Sequence, residues 1–97
     1  TGGLKLSEPS VNLAIMMSIA SSLLKKPIDD KTVFIAEVGL TGELKKVPQI
    51  KQRIKELERL GYKKCFVARN SVDESEFTGI KVMQRANIRQ VIDDCFR

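Results

Sequence analysis

The stretch Glu37-Val-Gly-Leu-Thr-Gly-Glu-Leu-Lys-Lys-Val-Pro48 decides the fold that the sequence predicts. Just upstream, residues 32–36 are β-branched and aromatic, which favours a central strand. Gly39 and Gly42 then mark a turn, and residues 44–47 are typical of a strand that returns beside the first. The stretch therefore predicts a strand, a tight turn and a second strand.

An amphipathic helix is predicted directly after this stretch, from Gln49 to Leu60. Its apolar residues recur at helical spacing and form one stripe, made of Ile50, Ile54, Leu57 and Leu60. Gly61 is typical of the position that follows the last turn of a helix. The helix is thus expected to lie with its apolar stripe on the sheet and its charged face outward.

Working outward, an earlier helix is expected to start at Ser7, Glu8 or Pro9 and to end before Pro27. Its residues are apolar on nearly every face, which predicts a helix covered on more than one side. Residues 4–6 are predicted to end a strand that precedes this helix.

Downstream, strands are predicted at residues 64–68 and 79–83, separated by a polar loop or short helical turn at 70–78. Asn87 is predicted to cap a last helix that ends at Cys95. The expected fold class is α+β, with three helices and about five short strands.

The composition is that of one soluble globular domain of 97 residues, with 42% hydrophobic and 30% charged residues. No apolar run reaches the roughly 18 residues of a membrane span, so no membrane association is expected. Cys65 and Cys95 lack a CxxC pattern and are predicted to be small, buried or half-buried apolar side chains without a disulfide, in a cytoplasmic protein. The chain opens without Met, which indicates a fragment of a longer protein in which residues 1–97 form one domain.

The residue types present exclude several kinds of catalytic or metal site. Histidine is absent, which excludes a Ser-His-Asp triad, a Cys-His pair and a histidine-containing zinc site within the sequence. A GxxxxGK[ST] motif is also absent, so the chain carries no P-loop. Clustered carboxylates occur only as near neighbours whose side chains point apart, so no metal site is predicted.

Ser10 is the one candidate nucleophile. It is predicted to stand at the start of the first helix, where unpaired N–H groups and the helix dipole favour a developing negative charge. A serine is a weak nucleophile unless a neighbouring group takes its proton. A first-turn serine with a structural role has the same pattern, and both interpretations remain open.

The net charge of +5 and the pI of about 9.4 are compatible with nucleic-acid contact. Basic residues that flank the turn or line the polar face of the second helix are the candidates for DNA binding: Lys45, Lys46, Lys51, Arg53, Lys55 and Arg59. Such a patch would meet phosphates without reading bases. Local neutralisation by Glu43, Glu56 and Glu58 is the alternative.

Several segments resemble the C-terminal Lon-protease-like domain of the RadA (Sms) family of bacterial recombination ATPases. They are Gly2-Gly3, Glu8-Pro9, Asn12-Leu13-Ala14, Ile19-Ala20-Ser21-Ser22, Glu37-Val38-Gly39-Leu40-Thr41-Gly42-Glu43 and Gln52-Arg53-Ile54. The resemblance covers essentially the whole chain and departs slightly at Ser10, which is often alanine in that family, and Ala36, which is often glycine. It implies a Lon proteolytic-domain fold, related to the ribosomal-protein S5 domain 2-like class and truncated at its N-terminal strand.

The resemblance also locates the catalytic dyad of Lon proteases, a serine and a lysine. The serine falls on Ser10, and the lysine falls on Arg53. Arginine stays protonated in proteins and has no lone pair for the serine's proton. Lys51 and Lys55 are two residues away on the same helix and face elsewhere. The dyad is therefore degenerate, and no peptidase activity is expected of this chain.

The expectations about the parent protein, its cofactors, its assembly and its DNA contact are implied by the resemblance alone. The parent protein would carry a four-cysteine zinc motif and a RecA-like ATPase core, neither of which lies in this chain, and would use ATP, Mg and structural Zn. It would form hexameric rings and drive branch migration in homologous recombination and DNA repair. The domain would be a non-proteolytic scaffold that supports ring assembly and contacts single-stranded or branched DNA. A true Lon-type ATP-dependent serine–lysine peptidase domain and a stand-alone nucleic-acid-binding domain are the alternatives.

Overall fold

The computed structural model describes residues 9–97. The predicted strand at residues 4–6 and a helix start at Ser7 or Glu8 lie outside the described residues. Within 9–97 the elements follow in the order β1 (Val11–Asn12), α1 (Leu13–Leu24), β2 (Thr32–Ile35), β3 (Glu37–Val38), β4 (Leu44–Lys45), α2 (Ile50–Arg59), β5 (Lys64–Ala68), a 3-10 turn (Glu74–Glu76), β6 (Lys81–Arg85) and α3 (Ile88–Phe96).

The strands form two small sheets, so the described part of the fold is mixed α/β with three α-helices. One sheet is parallel with the strand order β2-β5-β6, and its register pairs Thr32 with Lys64 and Lys64 with Lys81. The other is antiparallel with the order β1-β3-β4 and contains the turn between Gly39 and Gly42. The two sheets share the short connection between β2 and β3, at Ala36.

Helices cover both faces of the parallel sheet. On one face α1 and α3 pack over Phe34 and Phe66, whose rings stack with centroids 5.4 Å apart. On the other face α2 places Ile50 and Ile54 against Cys65 and its neighbours on β5 and β6. Alternate residues of a strand point to opposite faces, so each strand of this sheet contributes to both halves of the core. Each half buries apolar side chains that water would otherwise surround.

Helix α1 differs from its prediction in two ways. It begins at Leu13, after Asn12, so Pro9 and Ser10 precede it and the predicted start at Pro9 is wrong. The expectation that the helix is covered on several sides is also wrong for the described residues: Leu13 and Met17 are buried, whereas Ile15, Ile19 and Leu23 are 57%, 55% and 78% exposed. The reason is that Leu13 and Met17 face the sheet and α3. Ile15, Ile19 and Leu23 follow one another at four-residue spacing on the opposite side of the helix and pack against neither.

Most other predicted elements are confirmed with shifted ends. Strand β5 matches residues 64–68, α2 ends where Gly61 adopts φ +95°, and Asn87 caps α3 by accepting a hydrogen bond from the Gln90 amide at 3.1 Å. Strand β4 stops at Lys45 instead of residue 47, and β6 runs two residues beyond the predicted 79–83. No helix in residues 9–97 combines the length and the apolar character that crossing a membrane requires.

Candidate functional site

Ser10 immediately precedes β1, and its hydroxyl donates a hydrogen bond to Oε1 of Glu37 at 2.8 Å. Glu37 is held opposite because β1 pairs with β3, with Asn12 across from Glu37. No sequence pattern indicates this carboxylate partner, because the pairing of β1 with β3 sets it. Glu37 is a carboxylate, whereas the base of a Lon-type dyad is a neutral lysine amine. The hydrogen bond therefore places the Ser10 hydroxyl against an acceptor other than that amine.

The residue that caps the N-terminus of α1 is Asn12 and not Ser10. The Asn12 side-chain oxygen accepts hydrogen bonds from the amides of Ala14 at 2.8 Å and Ile15 at 3.3 Å. The Leu13 amide donates to the carbonyl of Ala36 at 2.9 Å. The first three helical N–H groups are thus already paired, so they offer no free donors to an alkoxide or an oxyanion. Asparagine at this position is a favoured cap, which the sequence alone could have indicated.

A cleft of about 490 Å³ lies between α2 and the junction of the two sheets. Arg53 and Glu37 both line it, whereas Ser10 does not. Ser10 is linked to the cleft through its hydrogen bond to Glu37. Its other walls come from Asn12, β2 and the start of α2, including Gln49 and Gln52. The guanidinium is exposed and forms no ion pair among residues 9–97. This cleft has hydrogen-bonding groups and one cation, and no neutral amine beside the serine.

The turn between β3 and β4 is built around the carboxylate of Glu43. Thr41 donates to Glu43 Oε1 from its hydroxyl at 2.6 Å and from its amide at 3.2 Å. The hydrogen bond from the Thr41 hydroxyl is the main cause that lowers the pKa of Glu43 below its usual value. A methyl group at Gly39 would overlap the same carboxylate, so a larger residue there would have to displace the Glu43 side chain.

The turn is fixed to the start of α3. The Leu44 amide donates to the carbonyl of Ala86 at 2.9 Å, and the Ile88 amide donates to the carbonyl of Gly42 at 2.9 Å. Glu43 and Asn87 form an isolated antiparallel bridge between these two hydrogen bonds. The antiparallel sheet and the last helix are therefore held together through main-chain groups, whose energy does not depend on side-chain identity.

The six basic candidates differ in how their charges are used. Lys51 pairs with Glu76 at 3.0 Å, and Arg59 pairs with Glu56. The Lys55 ammonium donates to the Glu76 carbonyl at 3.0 Å and lies 4.9 Å from the ring centre of Phe77. Lys46 is exposed, Lys45 is half-buried, and Arg53 faces the cleft. Of the three acids that the sequence offered as neutralising partners, Glu56 pairs with Arg59. Lys51 and Lys55 are instead engaged by Glu76, which the sequence did not indicate as a partner.

Both cysteines are free thiols. Burial raises the pKa of Cys65 to about 12 and also raises the pKa of Cys95. A thiol that stays protonated is a poor nucleophile and a poor metal ligand. Among residues 9–97 no three cysteine, aspartate or glutamate side chains gather in a metal-binding arrangement. The cysteines therefore act as small apolar side chains.

Comparison with known proteins gives two findings. Residues 2–71 match the model of a protein family described as subunit ChlI of Mg-chelatase. The chain is also similar to proteins named DNA repair protein RadA. It is 42% identical over 92 residues to that of Bacillus subtilis strain 168, and this match covers 94% of the chain and 20% of the relative.

Two further relatives carry the same name. The protein of Streptococcus pyogenes serotype M1 is 38% identical over 96 residues, covering 98% of the chain and 21% of the relative. That of Listeria monocytogenes serovar 1/2a is 47% identical over 70 residues, covering 72% of the chain and 15% of the relative. The chain thus spans about a fifth of the length of these relatives.

Proposed function

The chain belongs to the family described as subunit ChlI of Mg-chelatase, and we propose that it acts as a non-proteolytic Lon-like scaffold domain of a RadA-type DNA repair protein. Its similarity to proteins named DNA repair protein RadA over 94–98% of its length supports this role. In this proposal, residues 1–97 are one Lon-like domain of a longer cytoplasmic protein that acts in homologous recombination and branch migration.

The proposal rests on the N-terminus of α1, where the first three helical N–H groups already have hydrogen-bond acceptors. Asn12 and the Ala36 carbonyl occupy the N–H groups of Leu13, Ala14 and Ile15. A serine peptidase needs such donors free for the oxyanion, and it needs a base that can take the serine's proton. Arg53 cannot take a proton from Ser10. In this proposal Ser10 and Arg53 occupy the two dyad positions but meet neither catalytic requirement, which favours a structural role.

The parent protein would use ATP, Mg and structural Zn and would assemble as a hexameric ring. The proposal assigns these groups to the parent protein outside this chain, whose sequence has no P-loop motif. In the ring this domain would support assembly and would contact single-stranded or branched DNA. The candidates for that contact remain Lys45, Lys46, Lys51, Arg53, Lys55 and Arg59.

The test of the scaffold role is a peptidase assay on the 97-residue protein and on the longer protein with ATP. Casein and short peptides should remain uncut. The Arg53→Lys variant should restore activity weakly at best, because a catalytic lysine must also be desolvated to become neutral. Turnover that disappears in Ser10→Ala would support the alternative, a Lon-type serine–lysine peptidase domain.

The DNA contact has its own test, in which binding to duplex and single-stranded DNA is measured across a salt series. Replacing Lys45, Lys46 and Lys51 by alanine should weaken the affinity. It should also flatten the log–log salt slope by about one for each phosphate that is no longer bound. Unchanged affinity and slope would remove these residues from the proposal.

A further inference from the structure

The parallel sheet gathers lysines at one end. Lys31 precedes β2, Lys63 and Lys64 stand at the start of β5, and Lys81 starts β6. Main-chain hydrogen bonds keep them level: the Lys63 amide donates to the Lys31 carbonyl at 2.9 Å, and the Lys81 amide donates to the Lys63 carbonyl at 2.9 Å. Because strands in a sheet are about 4.8 Å apart, this row is about 10 Å wide. We call Lys31, Lys63, Lys64 and Lys81 the lysine edge.

Helix ends add charge at the same end of the sheet. Helix α1 finishes at Leu24 and is followed by Lys25 and Lys26. The Lys26 ammonium donates to the carbonyl of Phe96, the last residue of α3, at 2.9 Å. A helix C-terminus carries partial negative charge and favours a cation there. The ends of α1 and α3 therefore meet close to the strand starts.

The position of Cys95 shows that the lysine edge reaches α3. Burial raises the pKa of the Cys95 thiol, and the positive charge of Lys64 opposes that rise. Lys64 is half-buried, whereas Lys31, Lys63 and Lys81 are exposed. One residue of the row thus lies close to α3, and the other three are exposed.

The four lysines of the lysine edge form no ion pairs within the described residues. Among residues 9–97, no carboxylate lies within ion-pairing distance of its four ammonium groups. The acids on the surrounding elements are largely engaged elsewhere: Asp94 with Arg85 at 2.5 Å, Asp93 with Arg97 at 3.9 Å, and Glu58 with the Gly79 amide at 2.6 Å. Asp29 accepts from the Lys31 amide at 2.7 Å, and Asp30 is exposed beside it. This end of the domain therefore retains an excess of positive charge.

The chemistry of the edge suits a nucleic-acid backbone. Each DNA strand carries one negative charge per about 3.4 Å of its axis, so a row about 10 Å wide can meet about three phosphates. Lysine ammonium groups on flexible stems act as point charges and impose no base preference. A protein partner would need an apolar anchor, and the exposed leucines nearest this end, Leu23, Leu24 and Leu60, stand on helix ends and not on the row of strand starts. The aromatic ring at this end is that of Tyr62, half-buried with the Lys31 ammonium 5.9 Å from its centre.

We propose that the lysine edge is a phosphate-binding surface that holds a DNA strand without reading its sequence. The inference rests on the proposed DNA role and names a surface distinct from the turn and α2. It differs in one physical respect: the α2 cations Lys51 and Arg59 have carboxylate partners, and the lysine edge has none among residues 9–97. A cation without an internal carboxylate partner can neutralise a phosphate directly, and this releases the counterions condensed on the DNA.

The test compares two triple variants of the 97-residue protein that remove the same charge. The edge variant carries Lys31→Gln, Lys63→Gln and Lys81→Gln, and the comparison variant carries Lys45→Gln, Lys46→Gln and Lys51→Gln. Binding to labelled oligo-dT and to a duplex is measured by fluorescence anisotropy from about 50 mM to about 200 mM salt. A third variant with arginine at the three edge positions keeps the charge, and circular dichroism checks that each variant folds.

We expect the edge variant to lose at least about tenfold in affinity at the low-salt end and to flatten the log–log salt slope by about 3. The arginine variant should bind as the parent does, and the comparison variant should lose less affinity than the edge variant.

An edge variant with the parent's affinity and slope, beside a weakened comparison variant, would overturn the inference and leave the proposed DNA role intact. Unchanged binding in both variants would overturn the inference and also remove the DNA role from both surfaces. A polyglutamate peptide that binds as tightly as DNA, with binding that the edge variant abolishes, would overturn the assignment to nucleic acid.

Discussion

Replacing Asn12 by alanine should destabilise the protein more than replacing Ser10, although the sequence pattern singled out the serine. Asn12 accepts hydrogen bonds from two amides of α1, at 2.8 and 3.3 Å. Alanine leaves both amides without their partner, and the loss of such a cap costs about 0.5–2 kcal/mol. Because this cap satisfies two amides of a helix that buries Leu13 and Met17, we expect about 1.5 kcal/mol, within that range.

Ser10→Ala removes only an exposed hydrogen bond to Glu37, which should cost about 0.5 kcal/mol. Asn12→Asp keeps an acceptor at the cap and places a negative charge at the helix N-terminus, so it should be close to the parent in stability. The three variants differ by one side chain each and keep the same chain length. They therefore separate the cap from the dyad position.

The assay is urea unfolding followed by circular dichroism. With a slope near 1 kcal/mol per M, the midpoint should fall by about 1.5 M in Asn12→Ala and by about 0.5 M in Ser10→Ala. In thermal unfolding the Asn12→Ala loss corresponds to a shift of about 6–12 °C. A Ser10→Ala variant that loses as much stability as Asn12→Ala would refute the assignment of the cap. An Asn12→Ala variant with the parent's midpoint would refute it as well.

Three further outcomes are expected. Gly39→Ala should lower the free energy of unfolding by about 1–2 kcal/mol because its methyl group displaces the Glu43 carboxylate. Measured against Glu43→Ala alone, the Gly39→Ala/Glu43→Ala double variant should show no such cost. An unchanged cost would place the strain elsewhere. Burial raises the pKa of Cys65 from 9.0 to about 12, so the contribution of this buried thiol to stability is complete below pH about 9 and is lost as the pH rises toward about 12. Maleimide at neutral pH should label Cys95 before Cys65. Equal labelling rates in the folded protein would contradict the burial of Cys65. The 97-residue protein should self-associate only weakly in sedimentation, since the ring is proposed to need the ATPase core, and a tight hexamer would contradict this.

The periodicity of apolar residues predicted the helices and strands well where one local signal dominates. Gly61 and Asn87 each determine a helix end through their own conformation or side chain, so the predicted ends of α2 and α3 agree with the structure within one or two residues. Both ends of strand β5 were predicted correctly because a strand that is buried on both faces has a continuous run of apolar residues. These features depend on neighbours in sequence, which a single chain displays.

The start of α1 and the site around it depend on contacts that are distant in sequence. Ser10 is held by Glu37, 27 residues away, through the pairing of β1 with β3. No local pattern indicates that pairing, so the predicted helix start at Pro9 was wrong and Glu37 was missed as the partner of Ser10. The lysine edge was missed for the same reason, because Lys31 and Lys81 become neighbours only once β2, β5 and β6 align in parallel.

The central claim, that Ser10 is held as a structural residue and not as a nucleophile, is tested most directly by its reactivity. The 97-residue protein and its Ser10→Ala variant are treated with a fluorophosphonate, and their intact masses are measured. Since Glu37 engages the Ser10 hydroxyl and Arg53 cannot accept its proton, both proteins should keep their original mass. A phosphonyl adduct on Ser10 that the Ser10→Ala variant lacks would contradict the account.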